Sequence, residues 1–270
     1  MAACELLLSV QQSFSSGTLA TIGLPEDRFD ADMVPGTDPK PILAEANPSL
    51  LESGIYTIPE AAELVCADPR NVRKWVMGHG KTQAPLINNE LGKEGEKIAI
   101  SFTNLMELRF IARFLEAGVS IKHIRAILED AKREINHPHP LATNIIFRTD
   151  GKKILMEIAR KNKVNLIDLK SKNYEMINVV LSSLKEDVKF NPKGEAISWR
   201  PRPTIAPSVV VNPKHSFGRP ILKESRIPTE TLVQAIEAEG SIETVADIYD
   251  VPLKQVREAL RFERNLRAAA

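Results

Sequence analysis

Tyr56-Thr57-Ile58-Pro59-Glu60-Ala61-Ala62-Glu63-Leu64-Val65-Cys66-Ala67-Asp68-Pro69-Arg70-Asn71-Val72-Arg73-Lys74-Trp75-Val76 is the stretch whose reading decides the fold. Thr57 followed three residues later by Glu60 has capping-box spacing, and Pro59 is tolerated in a first helical turn because the N–H it lacks would be unpaired there anyway. A helix over 59–65 then buries Ala61, Ala62 and Leu64. Cys66-Ala67 breaks it, with Cys66 expected as a small buried turn residue, and Asp68-Pro69 restarts a helix as N-cap and first residue. In this second helix Val72, Trp75 and Val76 stand at i, i+3, i+4 and share one face, with Trp75 expected in the core. Arg70, Asn71, Arg73 and Lys74 are left to point outward. Two short helices joined by a tight turn, the second apolar inside and basic outside, predict a helix-turn-helix.

Downstream, residues 78–100 place turn formers at Asn88-Asn89 and around Gly92 and Gly95, flanked by Leu86, Ile87, Ile98 and Ile100. This pattern predicts a β-hairpin wing whose Lys93 and Lys97 are in reach of phosphates. Two periodic helices follow. One carries Phe102, Leu105, Leu108, Ala112 and Leu115; the other carries Ile121, Ile124, Ile127, Leu128 and Ile135, with Gly118 as the break and Ser120 as N-cap. His137-Pro138-His139-Pro140 stops the second, and its histidines are expected at the surface.

The remaining segments differ in character. Residues 1–54 hold eight acids against two bases with weak hydrophobic periodicity, which predicts an acidic tail without a core of its own. Residues 141–202 read as a middle α/β segment, with a hairpin around Asp150-Gly151, a helix near 174–184 and a strand near 196–199. Its stretch 148–172 carries eight bases against three acids, the most basic run of the chain. Residues 201–207 read as a proline-rich linker. Beyond it, 209–211 and 220–222 predict a strand pair, and three helices are expected at about 229–239, 241–249 and 252–266. The predicted fold class is mainly α with small β-hairpins. Its parts are an acidic tail (1–54), a winged helix-turn-helix with two following helices (55–140), the middle segment (141–202) and a C-terminal three-helix, helix-turn-helix-like domain (203–270).

Composition narrows the function. Over 270 residues the net charge is only +1, so any nucleic-acid contact must come from local patches. Two cysteines, Cys4 and Cys66, make neither a disulfide framework nor a zinc site and suit a reducing compartment. Glu5 stands where a signal peptide carries Lys or Arg, and no run reaches the length of a membrane span, so the expected location is the cytoplasm. His123, His137 and His139 lack the spacing of a metal site, and no phosphate-binding or nucleophile-elbow motif is present. The chain is expected to be no enzyme and to need no metal or cofactor.

Tyr56–Ala62 together with Arg70–Val76 resembles the DNA-binding head of MerR-type regulators, and residues 102–127, including Glu107-Leu108-Arg109 and Ala117-Gly118-Val119-Ser120, are similar to the helices that follow the wing there. No sustained heptad and no metal-sensing cysteines accompany it, so only the DNA-binding head carries over. Asn212-Pro213, Gly218-Arg219-Pro220, Arg226-Ile227-Pro228, Gly240-Ser241, Tyr249, Val256 and Ala259-Leu260 resemble a domain found in VapB-like antitoxins encoded beside PIN-type ribonuclease toxins. The pairing of both halves implies an antitoxin that binds such a toxin and represses its own operon. A dimer on a two-fold operator is expected, because one short recognition helix contacts few base pairs. The mouth of a PIN-type nuclease is acidic, so a cationic stripe fits it. Lys254, Arg257, Arg261 and Arg264 form such a stripe on the last helix, beside Leu253, Val256, Leu260, Phe262 and Leu266. Of these, Lys254, Arg257, Leu260, Arg261 and Arg264 are the expected toxin contacts; the alternatives are that the apolar set is the core of a three-helix module under a solvated stripe, or that the stripe makes a second DNA contact. A stand-alone transcription regulator, or an adaptor whose head binds protein, would share most of these features.

Overall fold

The Thr57 hydroxyl accepts the Glu60 amide while the Glu60 carboxylate accepts the Thr57 amide at 2.7 Å, a reciprocal cap that starts α1 (Ile58–Val65). Its apolar residues Ile58, Ala61, Ala62, Leu64 and Val65 are buried. Cys66 ends the helix in the left-handed conformation (φ 55°) and is exposed, not buried in the turn as expected. Asp68 then caps α2 (Pro69–Met77) by accepting the Arg70 amide at 2.7 Å.

The computed structural model describes residues 53–80, 83–94, 97–147, 182 and 184–269, which fall within one compact unit, Leu51–Ala270. After α2, strands β1 (Lys93–Glu94) and β2 (Lys97–Ile98) pair antiparallel, Lys93 opposite Ile98 and Glu94 opposite Lys97. The hairpin is shorter than the sequence suggests. Leu86 and Ile87 are buried but form no strand; their amides donate to the Trp75 carbonyl at the end of α2. Ile100 pairs instead with Tyr56, at 2.8 and 2.9 Å, and returns the chain to the start of α1.

Helices α3 (Phe102–Glu116) and α4 (Ile121–Ile135) follow. The sequence shows one apolar stripe on α3, yet residues 104–111 are buried without a break, because α1, α4 and the 140–142 turn all pack around it. Asn136, left-handed at φ 50°, ends α4 just before the His-Pro repeat. His139 is buried, not at the surface.

Four strands, β3 (Val188–Phe190), β4 (Ala196–Trp199), β5 (Val209–Val211) and β6 (Pro220–Leu222), form one antiparallel sheet in sequence order. The strand expected near 196–199 and the pair expected at 209–211 and 220–222 are thus joined in one sheet, through the pairing of Trp199 with Val211, and β3, not among the expected strands, adds to its edge. The turn between them is no free linker: Pro201, Arg202 and Ala206 are buried. Helices α5 (Thr229–Glu239), α6 (Ile242–Ile248) and α7 (Leu253–Ala269) complete the chain, with α7 packed on α5, α6, β5 and α1. One continuous apolar core runs from Tyr56 to Leu266. The expected hairpin around Asp150-Gly151, most of the helix near 174–184, the basic run 148–172 and the tail 1–52 lie outside the described residues. Among the described residues no helix is long and apolar enough to cross a membrane.

Candidate nucleic-acid interface

Helix α2 is amphipathic as its spacing predicts. Val72, Trp75 and Val76 are buried, whereas Arg70, Asn71, Arg73 and Lys74 are exposed. Among the described residues none of these four side chains makes a hydrogen bond or ion pair, so three cations and an amide face solvent uncommitted. Arginine and asparagine present the paired donors and acceptors that match guanine and adenine edges in a major groove.

The helix is held rigidly. Trp75 anchors its inner face, and its C-terminal end is closed by Gly78, whose amide donates to the Lys74 carbonyl at 2.8 Å. Gly78 has φ +77° and ψ −168°, and a Cβ there would lie 2.3 Å from the Gln83 carbonyl oxygen, so only glycine fits. Arg125 of α4 donates to the Ala84 and Pro85 carbonyls at 2.8 and 3.1 Å and fixes the loop beside α2. Nothing local in the sequence marks Arg125, because its acceptors are some 40 residues away. Lys97 is exposed on β2, and Lys93 occupies the facing strand, so the two expected phosphate contacts share one small hairpin.

A buried polar cluster sets the approach to that hairpin. His139 bridges two carboxylates, with Nδ1 3.0 Å from Glu107 Oε2 and Nε2 3.2 Å from Glu90 Oε1. Asn104 donates to Glu107 and to the Asn88 carbonyl and accepts the Glu90 amide, while the Ser101 hydroxyl donates to Glu90. Burial opposes charge on His139, but the hydrogen bonds and charges of Glu107 and Glu90 outweigh it and hold its pKa up at about 9. The same imidazolium pulls the Glu90 carboxyl below its usual range. Residues 88–90 are therefore pinned to α3 by a charged, hydrogen-bonded hub.

A second hub joins this head to the C-terminal half. The Arg202 guanidinium is buried and donates to the carbonyls of Glu63 (2.9 Å) and Leu64 (3.0 Å) at the end of α1, to Pro201 O, and to Asn265 Oδ1 of α7 (2.8 Å). It thereby satisfies the Leu64 carbonyl at the end of α1 and adds a second donor to that of Glu63, which also accepts the Cys66 amide at 3.3 Å. The Tyr56 hydroxyl, kept protonated by burial, adds a bond of 2.9 Å to the Gly218 carbonyl.

On α7 the side chains of Lys254, Arg257, Arg261 and Arg264 are exposed, and Arg257 pairs with Glu243 at 3.2 Å. The apolar residues expected beside them do not form a surface. Val256, Phe262 and Leu266 belong to the core, and Leu253 and Leu260 are half-buried. Among the described residues no group of three His, Cys, Asp or Glu side chains is placed to hold a metal.

A family described as "Protein of unknown function (DUF433)" matches residues 209–262. The chain is 24% identical over 223 residues to a Mycobacterium tuberculosis protein named "Putative antitoxin VapB45", covering 76% of this chain and 92% of that one. It is 22% identical over 235 residues to an uncharacterised protein, Rv2308, of the same organism, covering 82% and 94%. The crystal structure of Rv2018 from Mycobacterium tuberculosis shares the fold, with a TM-score of 0.62 at 21% identity over 76% of this chain and 96% of that chain.

Proposed function

We propose that this chain is a type II antitoxin that binds operator DNA through α1–α2, represses its own operon, and neutralises a PIN-type ribonuclease without itself catalysing a reaction. The observation that carries the DNA half is the outer face of α2: Arg70, Asn71, Arg73 and Lys74, exposed and unpaired among the described residues, on a helix fixed by Trp75 and Gly78. The order capped helix, left-handed turn, second helix and strand pair supports the reading as a winged helix-turn-helix of the MerR type, with α2 entering the major groove and Lys93 and Lys97 at the phosphates. The relative named as an antitoxin, matched over nearly all of its length, supports the toxin half. A homodimer on a two-fold operator supplies two copies of α2, and the complex acts in the cytoplasm.

The test is a titration of labelled duplex from the region upstream of the gene, with a scrambled duplex as control, together with co-expression of the neighbouring toxin. Wild type binds its own duplex more tightly than the control, and the double variant Arg70→Glu, Arg73→Glu loses that binding while keeping its fold. Equal binding by wild type and variant would remove α2 from the mechanism. Failure of the chain to copurify with the toxin or relieve its toxicity would leave a DNA-binding regulator without that partner.

A further inference from the structure

The helix pair α6–α7 repeats α1–α2 position by position, 184 residues later: Thr57 matches Ser241, Cys66 matches Asp250 and Val72 matches Val256. The first helices are capped alike, the Thr57 and Ser241 hydroxyls accepting the amides of Glu60 (3.4 Å) and Thr244 (3.1 Å). Both end in a left-handed residue, Cys66 at φ 55° and Asp250 at φ 50°. In both, the next amide reaches back to an alanine carbonyl, Ala67 to Ala62 at 2.9 Å and Val251 to Ala246 at 3.0 Å. The second helices open alike too, with Asn71 and Val72 donating to the Asp68 carbonyl and Gln255 and Val256 to the Pro252 carbonyl. Burial follows the same register: Ala61 and Val245, Ala62 and Ala246, Val72 and Val256, Trp75 and Ala259 all face the core. The sequence reads this module as helix-turn-helix-like but hides the residue-by-residue register, because only two of these core pairs, Ala62/Ala246 and Val72/Val256, are identical.

The register also aligns the outer faces. Arg70 falls on Lys254, Asn71 on Gln255 and Arg73 on Arg257, a cation, an amide and a cation in the same order. Lys254 and Arg257 are exposed and Gln255 half-exposed. One position departs: Lys74 falls on Glu258, which is buried and accepts the Ser208 amide at 2.9 Å, so it anchors the helix instead of facing out. Arg261 and Arg264 continue the cationic face along α7. Acidic neighbours are present. Arg257 is paired with Glu243 and Gln255 donates to Glu224 at 3.2 Å, while Asp247 and Asp250 are exposed nearby. Both contacts lie at the surface, where the Arg257–Glu243 ion pair contributes little.

We infer that α6–α7 is a second duplex-DNA reader, with Lys254, Gln255 and Arg257 placed on α7 as Arg70, Asn71 and Arg73 are on α2. This rests on the reading of the chain as a DNA-binding protein. Because Arg202 ties the end of α1 to Asn265 of α7, both readers belong to one packed body, and a single chain offers two recognition helices. The cationic stripe that charge alone would assign to an acidic protein partner is thereby assigned to DNA.

The experiment uses the full chain and the upstream duplex at several salt concentrations. Each lost phosphate contact makes the plot of log affinity against log salt shallower by about 0.9. Lys254→Ala with Arg257→Ala is expected to flatten that slope by about 2 and weaken binding at least tenfold near 0.15 M salt. Glu243→Gln, at an exposed position, is expected to tighten binding by freeing Arg257, an effect that a purely structural role would not produce. Unchanged slope and affinity in both variants, while Arg70→Glu, Arg73→Glu abolishes binding, would overturn the second reader and leave the first. If the Arg70→Glu, Arg73→Glu variant also binds normally, the DNA reading as a whole falls. Unchanged DNA binding with loss of toxin neutralisation in Lys254→Ala, Arg257→Ala would assign the stripe to a protein partner and overturn the inference.

Discussion

Replacing Arg202 with alanine removes one guanidinium and takes a donor from four acceptors: the carbonyls of Glu63, which keeps the Cys66 amide at 3.3 Å, Leu64 and Pro201, and Asn265 Oδ1. Hydrogen bonds to a charged group contribute roughly 1.5–3 kcal/mol each when deleted singly, and buried carbonyls left unpaired cost roughly 1–3 kcal/mol. The bonds share one donor group and are not additive. The removed charge no longer has to be desolvated, which offsets part of the loss. The net expectation is a destabilisation of about 3–5 kcal/mol, a large part of the roughly 5–15 kcal/mol that holds a typical domain folded. Arg202→Lys recovers little, since one ammonium lacks the planar fork that reaches acceptors on α1 and α7 together. Urea denaturation followed by far-ultraviolet circular dichroism and by Trp fluorescence reads the outcome, as both tryptophans, Trp75 and Trp199, are buried, one in the head and one in the sheet. The wild type should unfold in one transition by both probes. A loss under 1 kcal/mol for Arg202→Ala would refute the assignment of Arg202 as the tie between the halves.

Other perturbations test other parts of the frame. His139 has its pKa raised to about 9 in the folded chain against about 6.5 when unfolded. Its contribution, roughly 2–3 kcal/mol, is therefore fully present below pH 6.5 and lost as the pH rises through 9. His139→Gln should abolish that part of the pH dependence in denaturation curves at pH 6 and 9.5, and equal slopes for the two proteins would refute the charged bridge. Gly78→Ala must place a side chain at φ +77° and 2.3 Å from the Gln83 carbonyl; it should cost at least about 1–3 kcal/mol by thermal melting and weaken DNA binding through the displaced end of α2. Trp75→Ala empties the space between α2 and the core and should cost about 3–5 kcal/mol, with unfolding midpoints as the readout.

The helix pair at 57–77 was readable because its signals are local: a capping box, a proline in each first turn and an i, i+3, i+4 stripe all lie within a few residues of what they specify. The same holds for α4 and α5, whose ends follow from Ser120, the His137–Pro140 repeat and Gly240. What the sequence hid depends on partners far along the chain. Arg202 stands between two prolines and reads as linker, but its acceptors are 138 and 139 residues upstream and 63 downstream. His139 sits in a helix-stopping His-Pro repeat, and only folding brings Glu107 and Glu90 to its two nitrogens. The pair at 209–211 and 220–222 and the strand near 196–199 were visible singly and β3 was not, whereas their union into one sheet rests on the single pairing of Trp199 with Val211. For the site, Arg70, Asn71, Arg73 and Lys74 could be placed outward from helical spacing alone. The apolar residues of α7 could not be assigned to core or surface, since α1, α5, α6 and β5, which cover that helix, are distant or unmarked in sequence.

The central claim is that the outer face of α2 reads duplex DNA. Its most direct measurement places a photo-crosslinking amino acid at Asn71, with one at exposed Glu129 of α4 as control, and maps the adducts on the upstream duplex at single-base resolution. Adducts at Asn71 are expected only at major-groove base positions within the protected site, disappearing with rising salt, and none from Glu129. Absence of adducts at Asn71 in a protein that still protects the duplex would contradict it.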